Sequence, residues 1–354
     1  MLIQNNSQLK QFSQECQKDK IIAVDTEFFW TDTYTPIPCL IQIANKKRIV
    51  LIDLIETNLD LSFIKILLYQ KDIIKIFHSA RQDLEVFFNL FKEIPNNIFD
   101  TQIALHAINT NETVSLEKMI KDLLNVNISK LERRIDWRNR PLTFEQTNYA
   151  TNDVKYLIKI YNIIFKKLKS LGRLNWVLEL HNKIFDKKIF LKREEIAWKK
   201  IRFQPMYKNE LFLLKKLSKL REIEAKKKNV PIKKILSNSD IIKLSKKNIN
   251  KDEKVKIVQK INNSFLQKKI MSLLDKKLFF KVKIKSFEID SKIKEKVKKA
   301  RTILNQVSND LKINPSIIAN KQDLIDLFVG KKSEIFHGWR YKVFGKKLKE
   351  DYLI

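Results

Sequence analysis

The chain has 354 residues, 44% of them apolar, and its 71 Lys plus Arg against 40 Asp plus Glu give a formal net charge of +31. That apolar fraction is too high for a disordered polyelectrolyte, and uncharged stretches such as residues 33–45 run to only about a dozen residues, too short to span a bilayer. Two cysteines, Cys16 and Cys39, cannot build a disulfide framework or a four-Cys zinc site, and the first residues lack the basic and apolar regions of a secretory signal, so a cytoplasmic protein with no membrane partner is expected.

In chain order, the β-branched run at 21–24, ending at Asp25, predicts a strand. A second strand is predicted over 37–44, with Pro36 and Pro38 at its start, where a missing N–H is tolerated, and a third over 48–53. The spacing of Leu59, Ile64 and Leu67 predicts a helix over 58–69. A buried strand over 73–77 precedes helices over about 81–91, 101–108, 115–124 and 143–168. The front half therefore reads as a three-stranded meander followed by helices and a further strand, an α/β layered domain. After Gly172 the strand signals fade. An amphipathic helix is predicted from Leu211, Pro231 marks a turn, and short helices follow over 232–236 and 241–244. A Lys-rich region at 281–299 leads into a last helical segment ending in Phe336-His-Gly-Trp-Arg-Tyr-Lys-Val-Phe-Gly.

Charge and glycine are both unevenly placed. Residues 1–170 hold 23 basic and 20 acidic side chains, whereas 171–354 hold 48 and 20, so +28 of the +31 lies in the back half. Such asymmetry points to a polyanion, most simply nucleic acid, with compositional bias and a solvated lysine face as the lesser alternative. All four glycines lie at or beyond Gly172. A glycine-rich phosphate loop therefore cannot be built in the front half, and phosphate handling there must use metal ions or basic side chains.

Certain acidic positions match that requirement. Asp25 and Glu27 are i and i+2 at the end of a predicted strand and project from one face. Asp83 falls in the first turn of the helix after a buried strand, and Tyr149 and Asp153 are one turn apart on a predicted helix. Each acid alone reads as a cap or turn residue; together they can hold hard divalent cations, and two such ions can clamp an in-line phosphodiester displacement. His78 reads as a satisfied structural histidine, Asp100 as a helix cap, and Glu85 points away from Asp83 around its helix. Trp137, Arg138 and Arg140 are candidate contacts to a nucleic acid 3′ end, by stacking and by phosphate forks; packing of Trp137 and Pro141 against the sheet is the equal alternative.

The segments Asp25-Thr-Glu27-Phe, His78-Ser-Ala-Arg-Gln-Asp83-Leu-Glu-Val-Phe, Asp136-Trp-Arg-Asn-Arg-Pro-Leu-Thr and Tyr149-Ala-Thr-Asn-Asp153-Val-Lys-Tyr-Leu resemble bacterial ribonuclease D, a member of the Asp-Glu-Asp-Asp exonuclease superfamily in its tyrosine branch. The resemblance covers essentially the whole chain and implies an α/β ribonuclease H-like exonuclease domain with a mixed central sheet over 1–195. An all-α helicase-and-RNase-D C-terminal (HRDC) domain over 196–285 and a second HRDC-like helical domain over 286–354 would follow. It implies 3′→5′ hydrolysis of RNA, precursor tRNA 3′ ends included, to nucleoside 5′-monophosphates by a monomer using two Mg²⁺ or Mn²⁺ ions. Asp25, Glu27 and Asp153 would hold the ion at the attacking water, Asp25 and Asp83 the ion at the leaving oxygen, and Tyr149 would align the water. Two departures stand out: Arg133-Arg134-Ile135 precedes Asp136, where a small polar residue is usual, and Leu220-Arg221-Glu222 replaces the usual HRDC tryptophan. The acids alone are also compatible with a DNA exonuclease, and a non-catalytic nucleic-acid-binding protein is the reading from another class.

Overall fold

The computed structural model describes residues 1–108, 114–128, 135–186, 188–191, 193–275 and 291–352. Arg133, Arg134, the 281–290 part of the Lys-rich region and the expected boundary near 286 lie outside the described residues. The chain forms two compact units, the first drawn from residues 1–29, 37–187 and 291–354, the second from 30–36 and 188–290.

The first unit is built on five strands, β1 (Ile21–Phe29), β2 (Ile37–Ala44), β3 (Ile49–Asp53), β4 (Ile74–Phe77) and β5 (Ile98–Asp100), in the order β3-β2-β1-β4-β5. The β1–β2 and β2–β3 pairs are antiparallel; β1–β4 and β4–β5 are parallel. Runs of Ile and Val make these strands, and their alternation sends Ile21 and Ala23 to one face and Ile22 and Val24 to the other. Ile21, Ala23, Ile76 and Phe99 share a core cluster with residues of α4 (Thr101–His106), α7 (Leu157–Ser170) and α8 (Leu174–Ile184). In β1 the ladder slips between Glu27 and Phe28, where Glu27 faces Leu40 but Phe28 faces Pro38. Such a bulge bends the strand and re-aims the residues beside it.

The remaining helices of this unit are α1 (Asn6–Asp19), α2 (Ser62–Tyr69), α3 (Arg81–Phe91), α5 (Leu116–Leu124) and α6 (Phe144–Lys155). The helix expected over 143–168 is in fact two, α6 and α7. The turn tightens at Tyr156, whose N–H bonds to the Val154 carbonyl. Residues 291–352 supply α16 (Ser291–Leu311), α17 (Lys321–Phe328), α18 (Gly338–Arg340) and α19 (Lys346–Tyr352). Val297, Leu304, Trp339 and Phe344 belong to the same core cluster as α7 and α8. Trp339 stacks on Trp176 with ring centroids 4.5 Å apart, and Arg173 donates to the Leu311 carbonyl at 2.8 Å.

The second unit is helical among its described residues, with α9 (Lys188–Leu191), α10 (Arg193–Ile196), α11 (Lys208–Lys228), α12 (Ile232–Ile235), α13 (Asn238–Ser245), α14 (Lys251–Gln259) and α15 (Ser264–Asp275). Leu214, Leu217, Ile241, Leu244 and Ile270 form its core. The Leu220-Arg221-Glu222 departure is accommodated by hydrogen bonds: Arg221 donates to Asn238 at 2.7 Å, and Glu222 accepts from the Tyr34 hydroxyl at 2.7 Å. No described helix in either unit is long and apolar enough to cross a membrane.

Candidate active site

Three acids arrive from two elements. Asp25 and Glu27 leave β1 just before the bulge, on one face as their spacing predicts, and Asp153 comes from α6. One carboxylate oxygen from each lies within 4.8 Å of the other two. The register of α6 is set by a capping box: Thr143 accepts from the Gln146 N–H while the Gln146 side chain accepts from the Thr143 N–H. Such reciprocal capping pins the helix start, and Tyr149 and Asp153 fall one turn apart beyond it.

Asp83 lies outside that trio but lines the same cavity, of about 500 Å³, together with Asp25, Glu27, Tyr149 and Asp153. Its helix, α3, starts without a side-chain cap of its own. Asp100 does the work instead. Its carboxylate accepts the N–H groups of Ser79 and Ala80 ahead of α3 and those of Gln102 and Ile103 at the start of α4, so one side chain anchors two helix starts. Ser79 there adopts a left-handed φ of 65°, an uncommon state for a residue with a β-carbon. Asp83 itself accepts from the Thr26 hydroxyl at 2.6 Å, which ties α3 to the middle of the Asp-Thr-Glu segment.

The electrostatics are those of buried carboxylates that repel one another. Burial first, and then the fields of Asp83, Asp153 and Glu27, push Asp25 well above the usual carboxylate range. Glu27 is raised for the same reasons, burial leading. Asp83 rises to about 7 by burial, opposed by its bond from Thr26; Asp153 rises to about 7 by burial and the charges of Glu117 and Asp83. Tyr149 is raised far above its ordinary value by burial and the neighbouring carboxylates, so its phenol keeps its proton and can donate a hydrogen bond.

His78 is satisfied at both ring nitrogens, by Thr101 Oγ1 and by the Val114 carbonyl, each at 3.0 Å, although it borders the cavity. Trp137 is buried in a cluster with Cys39, Leu40, Leu51 and Ala150, 6.2 Å from the Tyr149 ring between centroids. Arg138 lies over the Phe29 ring at 3.5 Å and pairs with Asp136 at 2.6 Å. Arg140 departs from the expectation of a phosphate contact. All five of its N–H donors are used internally, on both Asp53 oxygens and on the carbonyls of Cys39, Trp137 and Asn139. A guanidinium with every donor committed has none left for RNA, and Arg140 instead fastens the Trp137 loop to the sheet. Sequence reasoning missed Glu117, which also lines the cavity; no motif marks it, and only the fold of α5 brings it there.

The chain is similar to known proteins over nearly its whole length. Residues 1–169 match the family described as 3′-5′ exonuclease. A ribonuclease D of Sphingobium indicum is 29% identical over 358 residues, spanning 98% of this chain and 92% of that protein. The chain resembles ribonuclease D over nearly its whole length. A second ribonuclease D, from Gluconacetobacter diazotrophicus, is 31% identical over 69% of this chain and 62% of its own length. The fold is that of the Escherichia coli RNase D crystal structure, described as an exoribonuclease involved in structured RNA processing, with a TM-score of 0.83, 23% identity and 99% of each chain covered. The catalytic core of RRP6 from Trypanosoma brucei shares it more loosely, at a TM-score of 0.52 and 21% identity over 77% of each chain. The exonuclease match and the ribonuclease D relatives together mark the chain as a hydrolytic 3′-5′ exoribonuclease.

Proposed function

We propose that this exoribonuclease shortens small structured RNAs, precursor tRNA 3′ ends among them, in the cytoplasm, and that Asp25, Glu27, Asp83, Tyr149 and Asp153 are its catalytic residues. The observation that carries the assignment is the convergence of three carboxylates from β1 and α6 within 4.8 Å, with Asp83 and Tyr149 in the same cavity.

The donor set fits hard divalent ions, Mg²⁺ or Mn²⁺: it is all oxygen, negatively charged, and raised in pKa as repelling carboxylates are. Asp25, Glu27 and Asp153 would hold one ion, and Asp25 and Asp83 a second. Bound divalent ions supply electrostatic stabilisation to the phosphodiester and make water easier to deprotonate. The chain's own residues do the rest. Asp100 and Thr26 hold Asp83 in place, the capping box holds Asp153, and the protonated Tyr149 hydroxyl, braced by Trp137, orients the attacking water by donating to it. Trp137 and Arg138 are proposed to border the path of the RNA 3′ end. The division into 1–195, 196–285 and 286–354 is proposed with it; the all-helical character of the described part of 196–285 supports an HRDC domain there.

Matched RNA and DNA oligomers and a 3′-extended tRNA, labelled at either end and incubated with each ion, test the reading. Stepwise loss of 5′-mononucleotides from the RNA 3′ end is expected. Equal degradation of DNA would overturn the substrate class, and release of 5′-end fragments would overturn the polarity.

A further inference from the structure

Gln42 lies in the middle of β2, fully buried, and neither of its amide atoms has a hydrogen-bond partner among the described residues. A buried amide left unpaired is costly and rare in folded proteins, and most of its surroundings would suit an apolar side chain. Along β2 the same face carries Leu40 and Ala44, and on β3 Gln42 is paired with Leu51. Ala150 of α6 clusters with Leu40 and Leu51, and Val154 with Ala23 and Ala44, so the helix closes over this face.

The exception lies on β1. The register pairs Gln42 with Asp25, and residues directly opposite in an antiparallel pair share a face, with β-carbons about 5 Å apart. The two side chains have complementary needs. Asp25 is buried among Asp83, Asp153 and Glu27, with a backbone hydrogen bond from Thr26 to offset them. It needs further donors, and the Gln42 amide nitrogen has two N–H groups to give. The other carboxylates of this face are worse placed. Glu27 stands opposite Leu40, one diagonal step from Gln42; Asp153 comes from α6; and Asp53 spends both oxygens on Arg140. We infer that Gln42 is a positioning residue for Asp25, its amide N–H donating to the Asp25 carboxylate when that group is ionised to hold divalent cations. This rests on the metal-dependent reading above and adds to it a residue that no ligand pattern marks.

The test compares wild type, Gln42→Met and Gln42→Asn by isothermal titration with Mn²⁺ at neutral pH, by melting in EDTA, and by RNA cleavage. Methionine matches glutamine in length and suits apolar surroundings, so Gln42→Met should melt in EDTA no lower than wild type. Its Mn²⁺ dissociation constant should rise roughly ten- to hundredfold, the loss typical when a residue behind a metal ligand is removed. At subsaturating Mn²⁺ kcat should fall with it, while KM for RNA holds. Gln42→Asn, which keeps a shorter amide, should recover part of the Mn²⁺ affinity. In wild-type protein with isotope-labelled glutamine, the Gln42 side-chain N–H signal should move downfield when Mg²⁺ is added. A Gln42→Met variant with wild-type Mn²⁺ affinity would refute the inference alone, and a loss of stability in EDTA with that affinity intact would mark Gln42 as packing only. An unmoved amide signal in wild type that binds Mg²⁺ would refute it without any variant. Wild-type protein that binds neither ion would remove the metal-dependent reading itself, and this inference with it.

Discussion

Proton and metal should compete for the same carboxylates, and the structure sets the scale. Asp83 and Asp153 sit at about 7 in the fold, against an ordinary aspartate value of 3.8. A carboxyl whose pKa is raised by folding binds its proton more tightly in the native state. It stabilises the apo protein fully below the unfolded pKa, and that contribution is lost as pH rises through the folded pKa. Between about pH 5 and about pH 7 one such group gives up roughly two units, or about 3 kcal/mol at 1.36 kcal/mol per unit. The two groups interact, so the pair loses less than twice that. For a domain of this size about 3 kcal/mol corresponds to a fall in Tm of roughly 6–12 °C. A divalent ion needs the deprotonated forms, so its stabilisation should follow the opposite trend. Thermal melts in EDTA and in saturating Mn²⁺, at about pH 5 and about pH 8, read both effects. The apo protein should melt lower at the higher pH, and Mn²⁺ should raise Tm strongly there and weakly at the lower pH. Comparison with Asp153→Asn isolates the site, because the variant keeps every other titrating group. An equal Mn²⁺ shift at both pH values, or a variant with the wild-type pH slope, would refute the placement of these carboxylates around a shared ion.

Asp25→Asn should abolish 3′ nucleotide release and leave RNA affinity in a filter-binding assay within about threefold, since the folded shape persists; undiminished turnover would remove Asp25 from the chemistry. Arg140→Ala should cost about 3–5 kcal/mol by chemical denaturation, because it leaves the buried Asp53 carboxylate without its partner; unchanged stability with a raised KM for RNA would restore Arg140 as a substrate contact. Trp339→Ala should cost about 3–5 kcal/mol in the unfolding of the first unit, because it empties the stack on Trp176; a variant as stable as wild type would mean that residues 291–352 contribute nothing to the core they share with α7 and α8.

What could be read from the sequence, and what could not, divides along a physical line. The strands were legible because Ile and Val runs need no partner to declare themselves, and the helix over 81–91 because its apolar spacing is regular. The acids stood out because hard cations call for oxygen donors at strand and helix ends, and four of them, with Tyr149, line one cavity. The three-residue β5 was missed because so short a run has no period; it exists only by pairing with β4. The helix α1 left a signal, Leu9, Phe12 and Cys16 on one face, but among polar residues too thin a stripe to stand out. Arg140 and Glu117 show the deeper limit. Arg in a loop rich in Arg and Trp looks like a phosphate contact until the fold brings Asp53, 87 residues away, to its guanidinium. Glu117 looks like an ordinary first-turn helix acid until the fold turns α5 toward the cavity. Residue type fixes what a side chain can do, whereas its partner is chosen by packing between segments distant in the chain. Roles that depend on the partner, such as the two helix starts held by Asp100, therefore become visible only in three dimensions.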